Sequence, residues 1–375
     1  MSIVFDQEQQ ALREATRRFF TEQFSSEATR SQMATSRGFE DKTWLRMATE
    51  LGLQGLTLPE EHGGAGAGFV EQLVVLEEMG QALIGSPYLS TVALAANALA
   101  ASGDATAQKE LLPGIAEGST IATLSFLDAA GAVDAGGRAV SATVSADGYV
   151  LDGRGYFVSD GHVAHKALVV ASTAVGPSLF VVDTQSAGVA AEELDTLDQT
   201  RKQAHLTFEQ APAVLVGREG GGGDIVERTL DLAMIALAAE QLGGAQRCLD
   251  MSVEYATIRS QFGRKIGSFQ AVKHRCADML TAIEVARSAV YHAVQLAADP
   301  ATNDGEALRL AAPMAKALAS EAYMFAAQQN IQLHGGIGCT WDHDAHLHYR
   351  RAHASTVFLG GIEEQRERLA TRLGI

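Results

Sequence analysis

Over residues 255–274 the chain reads YATIRSQFGRKIGSFQAVKH. The stretch begins and ends with helical texture. Its middle holds Gly263 and Gly267, the cations Arg259, Arg264 and Lys265, and the rings Phe262 and Phe269. Gly263 frees the backbone from helical dihedrals. Gly267 precedes Ser268, a residue type that caps a following helix, whose N-terminus favours negative charge. Phe262 offers a ring to pack on an aromatic base. A pyrophosphate beside an adenine would satisfy all of these features; so would a solvated turn between two helices. A second stretch, QLHGGIGCTWDHDAHLHYRR over 332–351, sets Gly335, Gly336 and Gly338 where bare backbone N–H groups sit beside helix ends, another place for phosphate.

The elements that must hold these groups change texture along the chain. Up to about residue 118 the pattern is helical: Leu12, Ala15, Phe19 and Phe20 recur at helical spacing, as do Trp44, Met47, Leu51 and Leu53, and 69–83 and 89–99 follow. From about 120 to 216 it becomes β. Val140, Ala142 and Val144 alternate with polar residues, Asp147-Gly148 and Asp152-Gly153 are turn dipeptides, and ALVVAS, SLFVVDT and HLTFEQ are strand-like. Asp224 and Glu227 then form a capping-box pattern, and helical texture runs to the end. The fold class is therefore α+β without βαβ alternation, with expected domains 1–118 (helical), 119–217 (β) and 218–375 (helical).

The formal net charge of −16 over 375 residues argues against nucleic acid and against an anionic membrane surface. An anionic ligand must then be met by local cations or helix ends. No apolar run approaches the ~20 residues that span a bilayer, and the first residues have no signal-type apolar core, so the cytoplasm is the expected location. Cys248, Cys276 and Cys339 are widely spaced and are expected to be buried free thiols. His343, His346 and His348, interleaved with Asp342 and Asp344, are expected on a solvated helix face, with no metal. HGGAG at 62–66 has the look of a hydrolase oxyanion loop, but no GxSxG accompanies it.

The two late stretches, in this order, resemble the acyl-CoA dehydrogenase family of flavoproteins, whose patterns are RxQFGxxIxxFQxxxHxLADM and QxxGGxG followed by YRD. This chain has Arg259, Gln261, Phe262 and Gly263, then Phe269, Gln270, His274 and Ala277-Asp278-Met279, and later Tyr349-Arg350-Arg351. LPEEHGGAG at 58–66 is similar to the family's N-terminal turn. The resemblance covers the whole chain. It implies a helical N-terminal domain, a middle β-barrel or sandwich and a C-terminal four-helix bundle. It also implies FAD shared between subunits of a dimer or tetramer, homomeric or built with a homologue, and electron-transfer flavoprotein as acceptor. Arg259 and Phe262 would reach the partner's FAD, with Gln270 beside them and Gln332, Gly335 and Gly336 as the other wall. The family's GxKxWITN segment is matched by residues 153–160, which gives Phe157 for the tryptophan and Ser159 for the hydroxyl; Ser125 takes the place of a flavin-facing polar group.

The implied reaction is α,β-dehydrogenation of an acyl-CoA thioester: a base takes the Cα proton as hydride leaves Cβ for flavin N5, the chemistry that opens β-oxidation. The base is a carboxylate in an apolar slot, where desolvation raises its pKa. In most of the family it is a glutamate near the C-terminus, and Leu359 stands at that place here. A smaller branch puts it on the long helix after the β domain, where this chain has Ala233 beside Met234. Glu240 lies further along nearly the same face, in an otherwise apolar segment. It reads either as a relocated catalytic base or as a structural carboxylate bonded to a neighbouring helix. The alternative to an enzyme complete in itself is a base-less, FAD-holding subunit paired with a catalytic homologue, as in the mixed-subunit dehydrogenases of bacterial steroid side-chain breakdown. Glu363 and Glu364, just past the turn, either face the cofactor or enrich a helix N-terminus in acid.

Overall fold

The computed structural model describes residues 5–146, 148–299, 301 and 305–375. The order of elements is helices, strands, helices. The helices α1 Gln7–Gln23, α2 Ser26–Met33, α3 Asp41–Thr49 and α4 Phe69–Gln81 come first. A π-helical segment Leu89–Ala96 runs into α5 Asn97–Ser102, and α6 Ala105–Ala116 follows. The strands are β1 Ala122–Ser125, β2 Val140–Ser145, β3 Gly148–Ser159, β4 Lys166–Ser172, β5 Pro177–Asp183, β6 Val189–Glu193 and β7 Gln203–Val216. Then come α7 Gly222–Ile258, the short strands β8 Ser260–Gln261 and β9 Arg264–Lys265, α8 Gln270–Ala298, α9 Glu306–His334, α10 Ala345–Val357 and α11 Ile362–Leu373.

Packing gathers the chain into two compact units, one of residues 1–29, 69–84 and 234–375, the other of residues 30–68 and 85–233. The second unit holds the strands. Pairings β4–β2, β2–β3, β3–β7, β7–β5 and β5–β4 return to their start and close a barrel, with β1 parallel on β4 and β6 on β7. The inward residues of the alternating strands, among them Val140, Leu151, Val169, Phe180, Leu206 and Phe208, fill its core. Asp152-Gly153 is not a turn, as expected from the dipeptide, but the interior of β3. Gly153 sits at a register shift with φ 138°, where a Cβ would meet the Ala139 carbonyl at 2.4 Å. Asp147 of the other expected turn lies outside the described residues.

In the first unit α7 is the central helix. From Met234 to Ala245 it is buried all round, which its run of alanine, leucine and isoleucine permits. Asp224 stands inside the first turn of α7, which starts at Gly222, and so does not cap it. α4 crosses α7 backbone to backbone: a Cβ on Gly80 would lie 1.9 Å from the Glu240 carbonyl, and one on Gly243 at 1.9 Å from that of Glu77. This close crossing buries two carboxylates of α4, and arginines answer both. Arg13 and Arg287 meet Glu77 at 2.7 and 3.4 Å, with the Tyr291 hydroxyl donating at 3.0 Å; Arg17 holds Glu78 at 2.7 Å. Burial pushes the Glu77 carboxyl up, and the two guanidiniums oppose that shift.

Two cysteines differ from expectation. Cys248 is buried and its thiol is pushed up strongly by desolvation, but Cys339 is exposed and Cys276 only half-buried. No helix among the described residues is long and apolar enough to cross a membrane. The tight crossing makes a prediction. Gly243→Ala must push α4 and α7 apart and cost at least about 1–3 kcal/mol, read from the urea midpoint. Gly336→Ala, where nothing lies within 4 Å of the new methyl, should leave the midpoint nearly unchanged.

Candidate active site

The elbow that interrupts the helical texture is a two-stranded hairpin. Gln261 pairs with Arg264 across the turn Phe262-Gly263, whose φ values are 52° and 76°. Positive φ at both central residues is what a type I′ turn requires, and it explains glycine at the second. The cations separate into roles. Lys265 Nζ donates to the Ile258 carbonyl at 2.6 Å, and the Arg264 guanidinium lies 4.0 Å over the Phe269 ring. The Arg259 guanidinium makes no hydrogen bond or ion pair with any described residue, while its backbone is fixed by N–H donation to Tyr255 O at 2.9 Å. Phe262 is 92% exposed, edge-on to Phe269 at 6.2 Å. A largely exposed ring and a guanidinium without a hydrogen bond or ion pair among the described residues thus project from a built hairpin. Ser268 does not cap α8: its hydroxyl donates to Lys265 O, and Phe269 is the capping residue.

The second arm meets the first at the end of α9. Phe262, Ile266, Phe269, Arg275 and Gln332 line one open cavity of about 320 Å³. The Gln270 amide donates to His274 Nε2 at 3.3 Å one turn into α8. Gly335 ends α9 at φ 66°, and around both Gly335 and Gly336 a Cβ would meet nothing within 4 Å. Exposed glycine backbone beside an arginine and an aromatic ring fits a dinucleotide's phosphate and base.

In the barrel unit, Ser125 ends β1 and abuts β3 at Gly155, where a Cβ would sit 2.3 Å from its hydroxyl. The β3–β7 register slips between Gly155 and Val158, and Phe157 in that bulge has φ 50°. Its N–H, out of the ladder, donates to His205 Nδ1 at 3.3 Å, and the two rings meet edge to face. Burial and then Arg154 hold the His205 imidazole below its usual range, which keeps Nδ1 an acceptor. The Ser159 hydroxyl is buried and bonded to nothing among the described residues, although its carbonyl accepts from Thr123 at 2.6 Å. Phe157 and Asp160 have left-handed backbone, and between them lies a buried hydroxyl without a partner among the described residues, a combination that a ligand group there would fit.

The positions at which a base is expected carry none. Leu359 is buried at φ 63°, and Gln365 Nε2 clamps the turn by donating to the Leu359 and Gly360 carbonyls at 2.7 and 3.2 Å. Ala233 and Met234 are fully buried. Glu364 folds back to accept the Gly361 N–H at 3.1 Å, and Glu363 pairs with Arg366 at 2.7 Å, so both serve the start of α11. Glu240 forms a buried ion pair with Arg351, 2.6 Å between Nη1 and Oε1, with side-chain exposures of 8% and 2%. Arg351 Nη2 donates to the Ile84 carbonyl at 3.0 Å. Arg351 is a partner the sequence reading missed. The signal was present: the chain has arginine where the YRD pattern has aspartate, and a cation there needs an acid opposite. His346 and His348 are likewise buried, not on a solvated face, and His348 Nδ1 meets the Tyr323 hydroxyl at 3.0 Å.

A charge left alone in this site is costly. Glu240→Gln is expected to lose about 3–5 kcal/mol of stability by chemical denaturation. The double substitution Glu240→Leu with Arg351→Met should recover most of it, since an apolar pair of similar volume replaces a desolvated ionic one. A loss below about 1 kcal/mol in Glu240→Gln would show that the pair contributes no more than an exposed one.

Residues 6–119 match the acyl-CoA dehydrogenase N-terminal domain and residues 220–374 the acyl-CoA dehydrogenase C-terminal domain. The chain is 36% identical over 368 residues to the acyl-CoA dehydrogenase IpdE2 of Mycobacterium tuberculosis, covering 98% of each. It superposes with a TM-score of 0.88 on a variant of the Tcur3481-Tcur3483 steroid ACAD, at 33% identity and 98% coverage of each chain. On the ChsE4-ChsE5 complex from Mycobacterium tuberculosis the TM-score is 0.90, at 30% identity over 100% of this chain and 99% of that one. With its helical N-terminal part, middle β domain and helical C-terminal part, the chain belongs to the acyl-CoA dehydrogenase family, flavoprotein oxidoreductases acting on acyl-CoA.

Proposed function

We propose that the chain is a FAD-holding subunit of an acyl-CoA dehydrogenase assembly that carries out α,β-dehydrogenation of an acyl-CoA thioester, and that a homologous companion chain supplies the α-proton base. The chemistry FAD supplies when bound is acceptance of a hydride from Cβ. The observation that carries the cofactor part is the hairpin: the Arg259 guanidinium without a partner among the described residues, beside a Phe262 ring 92% exposed. On this reading Arg259 pairs with the pyrophosphate and Phe262 lies by the adenine of FAD held by a neighbouring subunit, with Gln270, Gln332, Gly335 and Gly336 around them. Phe157, Ser159 and Ser125 serve the flavin end. The domain limits 1–118, 119–217 and 218–375 belong to the same reading, supported by β1 starting at Ala122 and β7 ending at Val216.

The companion is favoured by a specific observation. With Leu359 and Ala233 at the two expected base positions, and Glu240 bound to Arg351 in the core, these positions hold no carboxylate awaiting a proton. Relatives named as the Tcur3481-Tcur3483 and ChsE4-ChsE5 pairs support a two-chain assembly. The former is named a steroid ACAD, so CoA thioesters of steroid-derived acids head the substrate panel. A cytoplasmic tetramer passing electrons to electron-transfer flavoprotein completes the proposal.

Two experiments test it. Expressed alone and with a companion homologue, the chain should give yellow protein that bleaches anaerobically with acyl-CoA only in the co-expressed assembly. Bleaching by the lone chain, abolished in Glu240→Gln, would return the base to Glu240 and refute the companion. In the co-expressed assembly, Arg259→Lys should weaken FAD retention by about tenfold, since lysine keeps the charge but loses the bidentate fork. Unchanged retention would remove Arg259 from the clamp.

A further inference from the structure

Behind the two arms of the clamp lies a column of three aromatic rings. Tyr255, on the last turns of α7, stacks on His334 with centroids 4.3 Å apart and planes 29° from parallel. His334 in turn lies 4.4 Å from His343, at 47°. Two of its rings, Tyr255 at one end and His334 in the middle, are tied to the arms by the chain itself. The Tyr255 carbonyl accepts the Arg259 N–H, at the root of the hairpin. His334 is the last residue of α9 and is followed directly by Gly335. Hydrogen bonds fix the tautomers. His334 Nδ1 donates to the Asn330 carbonyl at 2.8 Å, while His343 Nδ1 accepts the Ala345 N–H at 3.1 Å, at the start of α10. Asn330 is itself held across to α7, its Oδ1 accepting from Ser252 at 3.1 Å.

Building on the proposed cofactor clamp, we propose that the Tyr255–His334–His343 stack is its positioning device: it sets the Arg259 arm against the Gly335-Gly336 arm, and it does so with the His334 imidazole uncharged. A proton on His343 Nδ1 would cost the Ala345 N–H its acceptor. A second proton on His334 would place two cations 4.4 Å apart. Charged groups reach this place from α7 and from the segment before α10. Glu254 and Arg247 come from α7 and Asp342 and Asp344 from the segment before α10; together with Ser26 of α2 they line a cavity of about 270 Å³ that Tyr255, His334 and His343 share. The carboxylates favour a charge there. For His334, burial first and His343 after it outweigh the Asn330 carbonyl and hold the imidazole below its usual range.

The sign follows from that direction. A histidine whose folded pKa is depressed stabilises the folded arrangement above its unfolded pKa and loses that contribution as pH falls. FAD retention by the purified flavoprotein, followed by the fluorescence of released FAD, is compared between pH 7.5 and 5.5, with melting temperature beside it. The wild type should release FAD severalfold more readily at the lower pH. His334→Phe keeps a ring in the stack but cannot charge, and should change less than about threefold over the same range. His343→Phe, which removes the second charge and leaves the α9 ring in place, should also flatten the profile, and it serves if His334→Phe fails to fold. Equal pH dependence in the wild type and both variants overturns the proposal. Protein with no FAD at any pH, but a melting difference between wild type and His334→Phe that grows towards pH 5.5, refutes the clamp and the positioning role together; a failure confined to the stack leaves FAD bound at pH 7.5.

Discussion

Glu240 and Arg351 are opposite charges shut away from water together, and much of the helical unit is arranged around that necessity. A lone guanidinium in the core of a bundle would be prohibitive, and so would a lone carboxylate; each makes the other tolerable. Their pairing draws α10 onto α7, and Arg351 Nη2 donates to the Ile84 carbonyl just past α4. Gly80 and Gly243 let α4 and α7 approach until backbone touches backbone, at the turn of α7 that carries Glu240. The same interaction bears on the proposed chemistry. An acid committed to a guanidinium has its lone pairs engaged and its charge compensated, and these are properties of a strut rather than of a base that must take a proton from carbon.

The residues proposed for the cofactor follow a different logic, in which unsatisfied groups are the signal. Within the barrel unit a bulge on β3 turns Phe157 into left-handed backbone, His205 takes up the displaced N–H, and the Ser159 hydroxyl is left buried with no partner among the described residues. Within the helical unit a type I′ hairpin, tied down by Lys265, Arg264 and Phe269, offers Arg259 and Phe262 outward. A protein tolerates strain and orphaned polar atoms where a ligand repays them. The Leu359 turn keeps the same kind of strain, left-handed backbone clamped by Gln365, although its side chain can take no proton.

What was legible in the sequence was what depends on local rules. Alternation in β2 and β7, the helical spacing of α1 and α4, and glycine in the elbow state their conformations directly, because period and φ preference act within a few residues, whereas Leu51 and Leu53, read at helical spacing with Trp44 and Met47, lie past the end of α3 at Thr49. The candidate cofactor residues Arg259, Phe262, Gln332 and Gly335 were named from spacing and resemblance, and the structure places Phe262 in the hairpin turn and Gly335 at the end of α9. What was not legible depends on partners distant in the chain. Asp152-Gly153 has the composition of a turn, but the barrel needs a long β3 with a bulge, and tertiary pairing overrode the dipeptide. His346 and His348 look solvated between charged neighbours, but Tyr323 and Trp341 cover them from elsewhere. Glu240 could be read as base or strut until Arg351 was seen beside it. The Tyr255–His334–His343 column carries no linear signature at all, since three elements contribute one ring each.

The most direct test of the central claim isolates proton abstraction from flavin reduction. The chain, purified without a companion and supplied with FAD, is incubated with an acyl-CoA in deuterated buffer, and the exchange of the α protons is followed by proton NMR. With Glu240 bound to Arg351 and leucine at 359, α-proton loss should not exceed that of buffer alone. Exchange well above that background, lost when Glu240 becomes glutamine in a variant that still folds, would contradict the account and make the buried carboxylate a base after all.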